Sequence, residues 1–310
     1  MLNYVIRRLA GILIMLLLLS LVTFVLSRTV PGGPFGKSEV PMGEQQMAMF
    51  KAKYGLDKPI MTQYITWLGQ AIRLDFGSSF TAPETTVTAL IMKMLPYSAI
   101  VGFFACLLAL VLGITLGMIA AVNQNGWLDN LIVTWSIVSA SVPSFVLAFV
   151  IVYIFAGQLK LLPAGGWGGP ENLVLPVFAY GFPSSGGVAR WTRQCLVDVI
   201  SSDYVRTGYA KGLQRAQVML RHVFRNALIP MITSFLPMFP GMMTGSLFIE
   251  QVFGLPGLGK YFVLSSTNRD YPMVLGITIF WALLISLTYF LTDILYGLID
   301  PRVRITEKAS

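Results

Sequence analysis

Six stretches of this chain are apolar for long enough to cross a bilayer: residues 9–26, 97–122, 131–155, 173–189, 227–248 and 274–298. A spanning helix needs about 20 apolar residues at a rise of about 1.5 Å each. Hydrocarbon offers no partner to a free backbone N–H or C=O, so segments of this length and composition cross as helices. The expected fold is an all-α polytopic membrane protein with about six transmembrane helices. A water-soluble surface is excluded, because charged residues make up only 12% of the chain where soluble domains carry about 25%.

The fourth stretch is the least regular in sequence. Pro176, Gly181, Pro183 and the run Ser184-Ser185-Gly186-Gly187 disfavour an unbroken helix, and an irregular span is tolerated only against protein or a water-lined cavity. This span is therefore expected away from lipid. The first stretch follows Arg7 and Arg8 as a signal peptide would. It is long for one, and no small-x-small cleavage site precedes Arg28, so it reads as a retained first span.

Orientation follows from Lys and Arg placement. With the N-terminus inside, the inner side receives Arg7, Arg8, seven Lys and Arg from Arg190 to Arg225, and Arg302, Arg304 and Lys308. The two shorter outer loops hold only Lys160, Lys260 and Arg269, so both termini are expected inside. The net charge of +8 is thereby explained by topology and needs no nucleic acid. Cys106 falls in a span and Cys195 in an inner stretch, which argues against a disulfide.

The expected organisation is a first transmembrane helix over 1–28, an outer insertion over 29–96, a five-helix core over 97–298 and an inner tail over 299–310. The insertion carries amphipathic stretches at 47–54 and 63–72, enough for a small folded cap. Within the core, 190–226 reads as helix, break, helix, with Asp203 as the expected N-cap of a short helix ending near Gly212 and a second helix over 216–224 leading into the fifth span.

No catalytic or metal-binding constellation is present, since the single histidine, His222, lies between Arg221 and Arg225. Gly254-Leu-Pro-Gly-Leu-Gly259-Lys260-Tyr261 approaches a phosphate-binding loop, but Tyr261 stands where Ser or Thr should hold magnesium, and the segment lies outside. Glu250 and Asp293 sit at or near span ends, where they can cap or snorkel as well as serve transport. Gly113-x-x-x-Gly117 and Gly241-x-x-x-Gly245 are read as helix-packing faces. Pro143, inside Ser139-Ala-Ser-Val-Pro-Ser144, and Pro230, Pro237 and Pro240 interrupt the third and fifth spans. Kinks of this kind either line a polar path or are merely tolerated. Ser141, Pro143, Ser144, Pro237, Met242 and Ser246 are the candidate pore-lining residues.

The inner segment Asp203-Tyr-Val-Arg-Thr-Gly-Tyr-Ala-Lys-Gly-Leu213 is the sharpest motif. A basic amphipathic helix either lies on anionic lipid or serves as a lever for a soluble partner; the glycine break and direct run into a span favour the lever. This segment resembles the cytoplasmic loop of binding-protein-dependent ABC importer permeases, in the dipeptide/oligopeptide branch, and the subunit with a long outer loop after its first helix. Val30-Pro-Gly-Gly-Pro34, Tyr54-Gly-Leu-Asp-Lys-Pro59, Phe76-Gly-Ser-Ser-Phe80, Leu161-Leu-Pro-Ala-Gly165, Val252-Phe-Gly-Leu-Pro-Gly-Leu-Gly259, Arg269-Asp-Tyr-Pro272 and Asp300-Pro-Arg302 carry the likeness across nearly the whole chain. Of the general importer pattern, E-A-A then G then I-x-L-P, only Gly212 is retained. Arg206-Thr-Gly208 and His222-Val-Phe-Arg225 occupy the other positions, as the peptide branch does.

The resemblance implies ABC importer permease architecture and a half-pore working by alternating access in a bacterial cytoplasmic (inner) membrane. It implies a non-catalytic subunit without a cofactor of its own, partnered by a paralogous permease, two cytoplasmic ATPases that use ATP and Mg, and an extracytoplasmic binding protein. The ATPase-coupling residues would be Asp203, Tyr204, Val205, Arg206, Tyr209, Ala210, Lys211, Gly212, Leu213 and Arg215. Di- or oligopeptides are the expected substrate, with nickel chelates and glutathione as alternatives. A secondary transporter would carry charges deep in its spans and repeated halves, and a membrane scaffold would not need the glycine-broken lever.

Overall fold

In the computed structural model the described residues are 2–29 and 44–299; Val30–Pro34 and the tail beyond residue 299, both read above, lie outside them. Among the described residues the secondary structure is helical, with one isolated bridge between Ser78 and Thr86. The first half of the chain forms α1 (Leu2–Thr29), α2 (Glu44–Lys53), α3 (Ile60–Ala71), α4 (Val87–Val122), α5 (Trp127–Ser141), α6 (Ser144–Ile151), which continues as a π-helix over Val152–Gln158, and α7 (Glu171–Ile200). Then come α8 (Asp203–Ala210), α9 (Arg215–Val218) with a π-helical continuation Met219–Phe224, and α10 (Arg225–Phe235). The chain closes with α11 (Met238–Met243), α12 (Leu247–Val252), α13 (Leu258–Thr267) and α14 (Tyr271–Ile299).

Val5–Thr29, Val87–Val122, Arg225–Val252 and Tyr271–Ile294 are each long and apolar enough to cross a membrane. The expected third span is not one straight helix: α5 and the α6 segment meet at 93°. The cause is local. Pro143 pushes the residue before it out of the α region, and both Val142 (φ −78°, ψ 120°) and Pro143 (φ −59°, ψ 133°) are extended. The fourth departs in the opposite sense, because α7 runs unbroken for 30 residues through Pro176, Gly181 and Pro183. Its glycines serve close approach instead of breakage. A Cβ on Gly181 would stand 2.5 Å from the Ala105 carbonyl oxygen, and one on Gly186 would stand 2.2 Å from Ser139 Oγ. The packing gained there offsets the poor helix propensity of glycine.

The chain divides into two compact units. One comprises the described residues within Met1–Tyr97 and Pro256–Leu287. Its core joins Phe24 of α1, Tyr64 and Trp67 of α3, Val87 and Ile91 of α4, Leu258 of α13, and Met273 and Leu275 of α14. α3 and Phe76 thus join this core, and one buried carboxylate stitches the segment at 79–81 to the turn before α14. Asp270 Oδ1 accepts from Phe80 N at 3.1 Å, while Oδ2 accepts from Thr81 Oγ1 at 2.8 Å and from Ser79 Oγ.

The other unit comprises Ser98–Leu255 and the described part of Thr288–Ser310. It is built on α7, against which α5, α6 and α10 pack. Gly113 and Gly117 of α4 do form a packing face: Cβ atoms there would stand 2.5 Å from Val188 Cβ and 2.6 Å from the Ala189 carbonyl oxygen. The Gly241/Gly245 pair does not. Gly241 faces open space, while Gly245 has φ +100° and forms the turn between α11 and α12.

Candidate functional site

The segment joining α7 to α10 carries the coupling candidates. α8 begins one residue differently from expectation: Ser202 is its N-cap and Asp203 its first helical residue. The Ser202 hydroxyl donates to the Val199 carbonyl at 2.5 Å and so does not cap α8. Asp203, an acid in the first turn, complements the positive end of the helix dipole instead. At the other end Gly212 has φ +81°. Gly212 N donates to Tyr209 O at 2.9 Å and Leu213 N to Gly208 O at 3.3 Å, the paired bonds of a Schellman closure.

The two faces of α8 differ. Val205 is only 1% exposed and packs with Leu196 of α7, Val218 and Val223 of the α9 segment, and Ala227 and Met231 of α10. Gly208 is buried on the same side, with Val218 Cγ2 3.6 Å from where a Cβ would sit. Of the coupling candidates, Val205 therefore belongs to the chain's own core. Tyr204, Tyr209 and Leu213 stay exposed with Arg206, Ala210 and Lys211 around them. Arg206 Nη1 lies 3.9 Å from Asp203 Oδ1, both exposed, so this contact contributes little. Arg215 opens α9, and its side chain lies outside the described residues.

A second feature of this end was not legible from spacing. Asp129, 2% exposed in the first turn of α5, is gripped by Arg193 of α7, with Nε donating to Oδ1 at 2.5 Å and Nη2 to Oδ2 at 2.7 Å. Asn125 N also donates to Asp129 Oδ2 at 2.8 Å. The α4–α5 turn and the C-terminal part of α7 are thereby held at the same end of this unit. The available signal was a lone acid entering an apolar stretch, without any indication of its partner 64 residues away.

The pore candidates fall at two breaks. Ser141, Pro143 and Ser144 mark the bend between α5 and α6, where Ser141 Oγ donates to Ile137 O at 2.7 Å. Pro237 precedes α11 and Ser246 caps α12, accepting from Ile249 N at 3.3 Å. The breaks lie side by side, with the Phe145 and Phe248 rings 5.4 Å apart. Met242 is buried against Ala105 and Cys106. Glu250 does lie near a span end, in the first turn of α12 and close to the end of the Arg225–Val252 span, but it does not snorkel. It is 1% exposed, accepts from Ser98 Oγ at 2.7 Å, and leaves no space for a side chain at Gly245.

No group of three or more metal-ligating side chains occurs among the described residues. The near phosphate-binding loop has α12 before it instead of a strand, so the geometry that would cradle a phosphate is missing.

Two family models match the chain. The binding-protein-dependent transport system inner membrane component matches residues 113–305, and the N-terminal membrane component of the same systems matches residues 1–101. The dipeptide transport system permease protein DppB of Bacillus subtilis is 38% identical over 308 residues, covering 99% of this chain and 100% of that protein. The oligopeptide transport system permease protein OppB of Haemophilus influenzae is 42% identical over 306 residues, covering 98% and 100%. Among solved structures, the inward-facing MetNI methionine ABC transporter aligns with a TM-score of 0.55 at 14% identity, covering 68% of this chain and 96% of the matched chain. An amino acid ABC transporter solved with histidines aligns at 0.52 and 17% identity, covering 69% and 94%.

Proposed function

Because the chain belongs to the family of binding-protein-dependent transport system inner membrane components, we propose that it is the permease subunit of an ATP-driven importer of di- or oligopeptides. The relatives at 38–42% identity over nearly their full length are dipeptide and oligopeptide permeases, which supports peptide as the substrate class. In this reading the chain forms half of a translocation path with a paralogous permease. It receives peptide from an extracytoplasmic binding protein and is driven by two ATPases, which hold the ATP and Mg. Both termini and the α7–α10 connection face the cytoplasm, as the Lys and Arg distribution implies.

The observation that carries the coupling role is the two-sidedness of α8. Its outer face presents Tyr209 (43% exposed) and Tyr204 amid Arg206 and Lys211, while Val205 is sunk among α7, α9 and α10. An amphipathic helix with aromatic anchors and a basic surround suits a groove on a soluble partner, with apolar anchors giving affinity and charges setting orientation. A push on that face is transmitted by Val205 to Val218 and Val223, and through Ala227 and Met231 to α10, which leads to the break at Gly245. Gly212, closing the helix, lets α8 move as a unit against α9. Pro143 and Ser246, on neighbouring breaks, are where such a movement would change the path.

The test is co-purification of the ATPases with a Tyr209→Asp, Leu213→Asp double variant. Loss of the ATPases with normal membrane insertion is expected. Retention at the wild-type level would remove the coupling role from α8.

A further inference from the structure

In the unit formed by α1, α3 and the start of α14, the polar end of α1 meets a small cavity of about 140 Å³, roughly ten times what a single water requires, lined by Arg28, Lys58, Gln63, Trp67 and Gln70 among others. Three polar atoms of its lining are buried and without a hydrogen-bond partner: Arg28 Nε, Gln63 Oε1 and Trp67 Nε1. Trp67 is itself only 9% exposed. Buried polar atoms are almost always satisfied, so a cluster of orphans at one cavity calls for an occupant. The lining supplies two cations, Arg28 and Lys58, and no acidic side chain. Arg28 makes no ion pair among the described residues; its guanidinium rests over the rings of Phe24 at 5.1 Å and Tyr271 at 5.7 Å. The Arg28 guanidinium and the Trp67 indole N–H form a donor pair for the oxygens of a phosphate, with Lys58 adding a second cation. Gln63, whose Nε2 donates to Leu56 O and Lys58 O, turns its Oε1 to the cavity as an acceptor for a headgroup hydroxyl.

The position of α3 indicates where that phosphate comes from. Tyr64 OH lies 2.9 Å from Ser20 Oγ and 3.4 Å from Leu17 O, and Trp67 lies tilted against Phe24 with ring centroids 5.9 Å apart. Ser20 lies eight residues before Arg28, about 12 Å down a helix axis, inside the apolar stretch of α1. α3 carries no charged residue, and on its outer side Met61 and Ile65 are each 62% exposed. A helix packed along the lipid-facing surface of a spanning helix, uncharged and exposing Met61 and Ile65 beside Thr62 and Thr66, lies against acyl chains. The cavity then opens at the level where Arg28 ends the apolar run, which is the headgroup layer. We propose that the Arg28–Gln63–Trp67 cavity binds the phosphate of a membrane phospholipid, with α3 embedded in the outer leaflet beneath it.

The experiment uses the full chain in detergent and native mass spectrometry, after extraction from a membrane containing phosphatidylglycerol, with Arg28→Gln, Trp67→Phe and Lys58→Gln variants. Wild type is expected to retain one phospholipid. Arg28→Gln is expected to lower its affinity about tenfold or more, since hydrogen bonds to a charged group are at stake, and Trp67→Phe, which keeps the aromatic core, is expected to lower it less. A second arm measures the thermal midpoint with added short-chain phosphatidylglycerol or inorganic phosphate. The proposal expects a rise with lipid that Arg28→Gln abolishes, and little response to inorganic phosphate. An equal response to inorganic phosphate would overturn the lipid source. A wild type that retains no phospholipid, or variants that retain it equally, would overturn the site and leave a hydrated cavity. If Arg28→Gln fails to fold, Trp67→Phe and the exposed-side Lys58→Gln still decide.

Discussion

Arg193 holds both carboxylate oxygens of Asp129, joining the first turn of α5 to the far part of α7 across 64 residues of sequence. The Asp129 side is buried and the Arg193 side about one quarter exposed, so each partner reads differently on removal.

Arg193→Ala leaves a buried carboxylate with only the Asn125 N–H donating to it. A loss of about 3 kcal/mol is expected, the low end for breaking a buried pair. Asp129→Asn should cost less, since Asn keeps one acceptor oxygen. The Asp129→Asn, Arg193→Ala pair should cost less than the sum of the two single losses. Thermal unfolding in detergent, read as a double-mutant cycle, checks this, and additive losses would show the two residues to be uncoupled.

Gly212 faces open space, yet its φ of +81° is one that side chains rarely adopt. Gly212→Ala should cost about 1 kcal/mol from backbone strain alone, and Gly212→Val more, because a β-branched residue is a clear outlier there. Gly208→Ala is the control. It sits in mid-helix with its nearest neighbour at an ordinary 3.6 Å, so it should be neutral or stabilising. Transport and transport-coupled ATPase activity should fall in the order Gly208→Ala, Gly212→Ala, Gly212→Val. Equal activity of all three would show that the helix closure is dispensable.

Asp270 gathers donors from Ser79, Phe80, Thr81 and Met273 onto one buried carboxylate. Asp270→Ala takes the acceptor from the Phe80 and Met273 N–H groups and leaves the Ser79 and Thr81 hydroxyls only each other. It should cost about 3 kcal/mol, with new protease cleavage in the segment around Gly77–Thr85. Asp270→Asn keeps Oδ1 for the backbone donors, and the two hydroxyls can rotate to accept, so it should be much milder. Limited proteolysis in membranes separates the two; identical patterns would remove the stitch.

Membrane sidedness is testable at exposed sites. Gln45, Asn268 and Gln214 are all exposed, whereas Leu255 is buried and unsuited to labelling. Gln45→Cys and Asn268→Cys should react with an impermeant thiol reagent in intact cells, and Gln214→Cys only after permeabilisation. Labelling of Gln214→Cys in sealed cells would reverse the orientation.

The legible part of the site was its punctuation. Gly212 as a break, the short helix before it and the run into the next span all follow from local rules, because φ preference and helix periodicity act within a few residues. Which face of α8 is free does not follow. Val205 and Tyr209, four residues apart, look alike on a helical wheel, and only the packing of α7, α9 and α10 sinks the first and leaves the second out. The two glycine pairs show the same limit. Gly113 and Gly117 meet α7, while Gly241 meets nothing and Gly245 turns the chain, although both pairs have the same spacing.

The sequence by itself determined that this chain crosses a membrane as helices, since an apolar run of that length has no other way to satisfy its backbone. It also determined the order of those helices and the family, because several separated blocks recur in register. Tertiary structure alone decided that the third apolar stretch bends by 93° at Pro143 while the fourth stays whole through two prolines. A proline removes one hydrogen bond in either place. Whether the helix then breaks depends on whether neighbours pack tightly enough around it to compensate, and that neighbourhood is assembled from residues far away in the chain. Asp129 with Arg193, Glu250 with Ser98 and Asp270 with Ser79 are long-range pairings of the same kind: burial makes each partner obligatory, and only the fold specifies which partner it is.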